Sequence, residues 1–306
     1  MSESFTSHLN RALDAAGIEL RLGQNALSVS TETVAQIQGA IDRAEKIRTV
    51  APAALRTVHH FSCTGGTLFA KCIASLPNSL LMNEINMHSS IPTSREGRAK
   101  FTPSDIVSLL RQGNRNIDPE LISKLLVQDL KTIRDELHKI GRTLILRDHA
   151  HSAFLVGKAA RPEQALYPQV HGSFEMYSLV TVRNPVDSYL AMRKRGWHLQ
   201  MMPNSFEEYC QRYHSFLDVH EGVPIVKYED FVRAPKTTMR KICQRLSLTY
   251  FADFTDVFGS FHFSGDSGRG GRKITRRNRI SNGSAEPLDG GESYRELANR
   301  LAYETD

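Results

Sequence analysis

The sequence lacks the features that mark several common protein classes. Its four cysteines are spread over 306 residues without a CxxC pair, so neither a disulfide framework nor a zinc site is predicted, and a reduced cytoplasmic setting is expected. No apolar run approaches the ~18 residues of a membrane span, and no basic segment followed by an apolar one opens the chain. We therefore expect no signal peptide and no membrane anchor. No internal repeat is present either.

The bulk composition is that of a globular protein, with 40% hydrophobic and 24% charged residues. A chain of 306 residues can form one large α/β domain or two small ones. The net charge of +6 makes it mildly basic. That charge suits an anionic ligand as well as a nucleic acid and does not choose between them.

Short β-prone runs alternate with helical patterns along most of the chain. This alternation predicts an α/β fold in three layers, a parallel sheet flanked by crossover helices. An amphipathic stripe within residues 1–50 predicts a helical segment packed on a single domain that covers residues 51–306. The long polar segment 86–102 is predicted to be a lid or binding loop. The predicted strands are 56–62, 79–82, 143–146, 176–182 and 223–227.

The most informative stretch runs from Thr57 to Thr67, TVHHFSCTGGT. It predicts a strand, a glycine-rich turn and the start of a helix, an arrangement that presents backbone N–H groups and a helix dipole to an anion. It is not a Walker A loop, because no Gly-Lys-Ser/Thr ends it. A phosphate-like ligand is therefore predicted, held differently from the triphosphate of the usual nucleoside triphosphatases.

Polar side chains also follow the other predicted strands. Glu84 follows the second, Arg147 and His149 follow the third, and Arg183 follows the fourth. Because ligands of open parallel sheets bind beyond the carboxyl ends of the strands, these residues should share one edge with the glycine-rich turn. An anion-binding loop with a carboxylate, a histidine and arginines favours group transfer to or from an anion over hydride transfer or metal chemistry.

Four segments in order resemble the sulfotransferases that use 3′-phosphoadenosine 5′-phosphosulfate (PAPS), a family with a P-loop NTPase-like architecture. Ser62–Phe69 is similar to the family's 5′-phosphosulfate loop, and Val180–Tyr189 to its 3′-phosphate strand and turn. Ile225–Pro235 resembles the strand that ends in Tyr-Glu-Asp. Gly265–Arg269 is similar to the loop that closes over the 3′-phosphate.

The resemblance implies a set of cofactor-binding residues. The first loop would hold the 5′-phosphosulfate, Arg183 would grip the 3′-phosphate, and Tyr228 would lie beside the adenine, although it could equally be an aromatic that closes the strand edge. The implied residues are Ser62, Cys63, Thr64, Gly65, Gly66, Thr67, Arg183, Ser188, Tyr228, Ser267, Gly268 and Arg269.

Two residues compete for the base that removes the acceptor's proton. In one branch of the family the base is a histidine after the third strand, which is similar to His149, with Arg147 as the cation at the sulfuryl group. In the tyrosine-sulfating branch it is a glutamate after the second strand, which is similar to Glu84. We favour Glu84, because the register of loop, helix, Pro77 and glutamate agrees with that branch. His151 ranks below both.

The chain departs from the family pattern at two positions. Cys63 stands where the loop usually has Lys or Arg, and Ala191 where a Ser usually follows the 3′-phosphate arginine. Arg147 or a tail arginine would then stabilise the leaving phosphate, and Ser188 or a tail residue could replace the serine. The basic run 269–279 would clamp the 3′-phosphate; a solvated charge run is the alternative, and a nucleic-acid arm is disfavoured by its few aromatic residues.

The resemblance implies direct in-line transfer of a sulfuryl group to a hydroxyl or amine on a small molecule or polymer. Adenosine 3′,5′-bisphosphate would be the product, and neither a metal nor a covalent intermediate would be needed. A P-loop-type small-molecule kinase is the first alternative, although the missing Gly-Lys-Ser/Thr argues against it. A non-catalytic nucleotide-binding relative is the second, because Cys63 and Ala191 depart from the pattern. The acceptor and the oligomeric state stay open.

Overall fold

The structure is a computed structural model in which part of the chain is described. The predicted helical segment 1–50, most of loop 86–102 and the tail residues Ser267, Gly268 and Arg269 lie outside that part. The described residues are 53–89, 106–107, 110, 117–263, 274–275, 288 and 291–304.

The described chain folds around one five-stranded parallel sheet with the strand order β2-β3-β1-β4-β5. The parallel sheet predicted from the alternating pattern is confirmed. The strands are β1 (Leu55–His60), β2 (Ser79–Ile85), β3 (Thr143–Asp148), β4 (Met176–Val182) and β5 (Ile225–Lys227).

Helices connect the strands and follow the local sequence signals. Asp118 caps the helix Pro119–Lys139 by accepting a hydrogen bond from the backbone N–H of Glu120 at 2.9 Å. Ser205 caps the helix Phe206–Val219 by accepting one from the N–H of Glu208 at 3.1 Å. The α-helices are α1 (Gly66–Ala74), α2 (Pro119–Lys139), α3 (Ala150–Phe154), α4 (Leu166–Val170), α5 (Pro185–Lys194), α6 (Phe206–Val219), α7 (Tyr228–Arg233), α8 (Pro235–Leu246), α9 (Phe254–Val257) and α10 (Gly291–Arg300).

Helices cover both faces of the sheet, which confirms the three layers. On the first face, Val58 and Ile145 pack with Phe69 of α1 and Ile242 of α8; we call this the α1 face. On the opposite face, which we call the α6 face, Val180 and its neighbours pack against α6, and Leu55 packs against α2. Side chains alternate between the faces along each strand, so adjacent residues of β1 and β3 enter different layers.

Four of the five strands differ from their predicted bounds. β1 is Leu55–His60 instead of 56–62, β3 ends at Asp148 instead of residue 146, and β5 begins at Ile225 instead of residue 223. β2 continues to Ile85 instead of ending at residue 82, because Ile85 pairs with Asp148 beyond an irregular step in the register. The segment directly after β5 forms the short helix α7, where the sequence predicted only a polar strand end. In the described part of the chain, no helix is long and apolar enough to cross a membrane.

Candidate active site

The turn between β1 and α1 is tightly packed and needs its two glycines. Gly65 has φ +91°, and a Cβ on it would lie 2.5 Å from Cδ2 of Tyr228. A Cβ on Gly66 would lie 2.2 Å from Cδ2 of His60. Cys63 also has a left-handed backbone, with φ +62°. These conformations bring the N-terminus of α1 directly against the ends of β1 and β5.

Two side chains of this turn, Thr64 and Ser62, have different hydrogen-bond partners. The hydroxyl and the N–H of Thr64 both donate to the carbonyl of Phe61, at 2.8 and 3.3 Å, so Thr64 stabilises the turn. The Ser62 hydroxyl lies 3.2 Å from Nδ1 of His151. Among the described residues, no side chain caps α1. The first N–H groups of this helix are therefore suited to an anion.

Arg183 joins the end of β4 to this turn. Its side chain is 7% exposed, and Nη1 donates to the carbonyl of Cys63 at 3.3 Å. Its guanidinium lies 5.0 Å from the ring centroid of Tyr228, a cation–π distance. Nη2 is 3.9 Å from Asp187, and Nε has no hydrogen-bond partner in the described part of the chain. The structure thus brings together the turn, Arg183 and Tyr228, which come from three separate motifs.

Arg147 lies at the end of β3 and is held from several sides. Nη1 donates to Oδ1 of Asn83 at 2.6 Å, and Nη2 lies 2.8 Å from Nε2 of His60 and 3.3 Å from the hydroxyl of Thr67. Burial, and then the charge of Arg147, holds the pKa of His60 well below its usual range. His60 is therefore neutral and accepts the hydrogen bond from the guanidinium.

Glu84 reaches the same cation from β2. Its backbone has φ +57°, rare outside glycine, and the register with β3 shifts between Met82 and Ile85. This local irregularity turns the carboxylate inward, so that Oε1 lies 3.5 Å from Nη2 of Arg147, with both side chains largely buried. Irregular strand backbone of this kind is frequent at functional sites, where it re-aims a side chain.

Two histidines follow Arg147 at the same edge. Burial is the main cause that lowers the pKa of His149, although the nearby Glu84 raises it, and burial also lowers the pKa of His151. Nδ1 of His149 has no hydrogen-bond partner among the described residues, whereas Nε2 of His151 lies 3.0 Å from Oε1 of Gln200. Both rings are therefore neutral near pH 7, and His149 keeps a nitrogen that can accept a proton.

Ser188 lies on α5. It is fully buried, and its hydroxyl donates to the carbonyl of Asn184 at 2.9 Å, one helical turn earlier. Sequence reasoning missed His60 and Asn83 as partners of Arg147. The available signals were weak: His60 stands at the end of the strand before the turn, and Asn83 stands beside Glu84.

No protein-family model matches this chain, and neither does any curated protein. Among solved structures it is similar to the sulfotransferase domain from the curacin biosynthetic pathway, with 15% identity, a TM-score of 0.48, and coverage of 84% of this chain and 99% of that one.

Two further solved structures are similar. The sulfotransferase domain of the Synechococcus PCC 7002 olefin synthase has 15% identity and a TM-score of 0.47, covering 83% of this chain and 96% of its own. Sulfotransferase STF1 from Mycobacterium tuberculosis H37Rv has 11% identity and a TM-score of 0.38, covering 87% and 80%. The chain is thus similar in structure to sulfotransferase domains, at identities that leave its activity to be argued from its own residues.

Proposed function

We propose that the protein is a sulfotransferase that moves a sulfuryl group from PAPS to a hydroxyl or amine acceptor. The acceptor atom forms a bond to sulfur while the bond from sulfur to the 5′-phosphate oxygen breaks, and the acceptor's proton passes to a base. Adenosine 3′,5′-bisphosphate leaves. The observation that carries the proposal is the hydrogen bond from Arg183 to the Cys63 carbonyl, which places a buried cation beside the anion-binding turn.

Arg183 is suited to the 3′-phosphate. A buried guanidinium needs compensating anions or acceptors, and the carboxylate of Asp187 lies 3.9 Å away, beyond direct hydrogen-bond distance. The unpartnered Nε leaves a donor for a phosphate oxygen. Tyr228, stacked on the same guanidinium, keeps the side chain beside the turn.

Arg147 is suited to the sulfuryl group and the leaving 5′-phosphate. Its contact with the Thr67 hydroxyl places the cation at the first turn of α1, where the 5′ end of the cofactor would lie. In this proposal Arg147 supplies the charge that the usual basic loop residue would have brought to position 63. Stabilisation of developing negative charge by a fixed cation is a large part of such catalysis.

Glu84 is the proposed base. Its carboxylate is paired with Arg147, and an incoming sulfuryl group would draw the guanidinium toward itself and weaken that pair. The carboxylate would then be available to the acceptor's proton. His149 is the alternative, because it is neutral with an unpartnered Nδ1.

Thermal stability with nucleotides tests the cofactor. A ligand that binds only the folded state raises the melting temperature, so adenosine 3′,5′-bisphosphate should stabilise the full chain and ATP should not. Arg183→Gln should abolish the shift. Arg233→Gln, at an exposed arginine on α7, is the matched control and should keep it. Stabilisation by ATP alone would point to the kinase, whereas bisphosphate binding without sulfuryl transfer to a broad acceptor panel would leave a non-catalytic relative.

A further inference from the structure

A second polar cluster lies on the α6 face, behind the sheet edge that carries the candidate active site. It consists of His59 on β1, Asp148 on β3 and His220 at the C-terminus of α6, and we call it the His–Asp–His cluster. The three residues are 0%, 0% and 3% exposed. Their chain neighbours His60 and Arg147 point into the other layer, so the two groups are separated by the sheet.

We propose that the His–Asp–His cluster binds a divalent transition-metal ion of the zinc type, which links β1, β3 and the end of α6. Each residue offers one ligand atom, and these three atoms lie within 4.8 Å of one another. Tetrahedral zinc ligands are about 3.4 Å apart, given Zn–N and Zn–O distances near 2.1 Å. Side-chain adjustments of about an ångström would therefore close the site, with a water molecule as fourth ligand.

Hydrogen bonds orient both histidine rings, and His220 presents a nitrogen that is unpartnered in the described part of the chain. Nδ1 of His220 donates to the carbonyl of Phe216 at 2.7 Å, which leaves the lone pair on Nε2. That nitrogen has no hydrogen-bond partner among the described residues. In His59, the ring nitrogen Nε2 lies 2.9 Å from the Thr57 hydroxyl. Metal-binding histidines are typically oriented by such a bond from the second nitrogen.

The carboxylate of Asp148 is buried with one oxygen unused. The side chain is fully buried, and Oδ2 lies 3.3 Å from Nδ1 of His59. Oδ1 has no hydrogen-bond partner in the described residues. A buried polar atom without a partner is costly, and a metal ion bound by the carboxylate would compensate for it.

Three protein ligands and a water are also the donor set of catalytic zinc sites, but this cluster is buried out of reach of a substrate, so the ion would be structural. The rings of His59 and His220 have centroids 4.4 Å apart, and Tyr167 and Phe216 pack around them. An ion here would hold together the two strands that carry His60 and Arg147. The inference does not depend on sulfuryl transfer, since it concerns the opposite face of the sheet.

Metal binding to the purified full chain tests the proposal. After removal of metals with a chelator, the chain is loaded with Zn²⁺, passed through gel filtration and analysed for retained metal. One equivalent should stay bound, and the melting temperature should rise with Zn²⁺ concentration. His220→Phe, which keeps an aromatic ring among its neighbours, and Asp148→Asn should each lose both effects. His171→Ala, at an exposed histidine, should keep them.

The visible absorption of bound Co²⁺ tests the cluster in the wild-type chain alone, so the result does not depend on whether a variant folds. Strong visible absorption from four-coordinate Co²⁺ in the wild-type chain would support the cluster, and only the weak bands of six-coordinate Co²⁺ would overturn it. A wild-type chain that retains no Zn²⁺ would also overturn the proposal. If folded His220→Phe retains as much Zn²⁺ as the wild type, the metal binds elsewhere and the proposal is contradicted.

Discussion

Arg147 illustrates how a single residue determines the chemistry of the candidate active site at the carboxyl ends of the strands. It is 2% exposed and lies within 3.5 Å of polar atoms from Asn83, His60, Thr67 and Glu84, which come from three different segments. A neutral histidine and an amide orient the guanidinium without cancelling its charge. Glu84 opposes that charge, and an anionic ligand would compete with it directly.

Replacing the two base candidates separates their roles. We expect Glu84→Gln to lower turnover at least 100-fold while adenosine 3′,5′-bisphosphate still raises the melting temperature, because general-base catalysis contributes about 10²–10⁴-fold. Steady-state kinetics and thermal shifts measure the two effects. If His149→Ala loses turnover in this way and Glu84→Gln does not, His149 is the base. His171→Ala is the control for a histidine outside the edge.

The buried His151 predicts a dependence of stability on pH. Burial lowers its pKa in the folded state below the ordinary value near 6.5, so the unfolded chain binds more protons as the pH falls. The contribution of neutral His151 to the free energy of unfolding is therefore complete above about pH 6.5 and decreases on acidification. Urea unfolding at pH 7 and pH 5 should show a smaller loss for His151→Gln than for the wild type. His171→Gln should match the wild type; equal losses in all three chains would contradict the prediction.

At the scale of elements, the start of α1 depends on close contacts with two strand ends. Gly65 meets Tyr228 at the end of β5, and Gly66 meets His60 at the end of β1. The sequence predicted the glycine-rich turn and its anion-binding character from local composition. It did not predict these partners, because Tyr228 lies more than 160 residues away and joins the turn only through the sheet order.

Gly66→Ala tests this packing. The added methyl would overlap the His60 ring and cost about 1–3 kcal/mol, as overpacking does. It would also disturb the Arg147 contact and so weaken the bisphosphate-induced thermal shift. Gly141→Ala is the control, because nothing lies within 4 Å of its Cβ position, although its φ of +72° costs about 1–2 kcal/mol. Urea unfolding measures the stabilities, and an undiminished nucleotide shift in Gly66→Ala would contradict the prediction.

At the scale of the molecule, one sheet separates two hydrophobic layers and two polar clusters. The α1 face carries the Arg147 contacts, and the α6 face carries the His–Asp–His cluster. The fold class could be predicted because strand and helix patterns are local. The alternation along a strand also places His59 and His60 on opposite faces. Which helix covers each face could not be predicted, because it depends on the strand order and the crossover connections.

Both layers should contribute similarly to stability. Leu130→Ala on the α6 face and Ile242→Ala on the α1 face each remove a fully buried side chain, so each should lower the free energy of unfolding by about 2–5 kcal/mol. Leu121→Ala, on the same helix as Leu130 but 42% exposed, should change it by less than about 0.5 kcal/mol. Urea unfolding followed by Trp197 fluorescence measures all three. If only one of Leu130→Ala and Ile242→Ala lowers the free energy of unfolding, the two layers unfold separately.

The sequence by itself determined the alternation of strands and helices, the anion-suited turn at residues 62–67 and the polar ends of the strands, because each depends on neighbouring residues. Only the tertiary structure decided that Arg183 binds the Cys63 carbonyl, that Glu84 turns inward to Arg147, and that His59, Asp148 and His220 form a buried cluster. These contacts join residues 63 to 161 positions apart, and strand order, register and helix packing determine them.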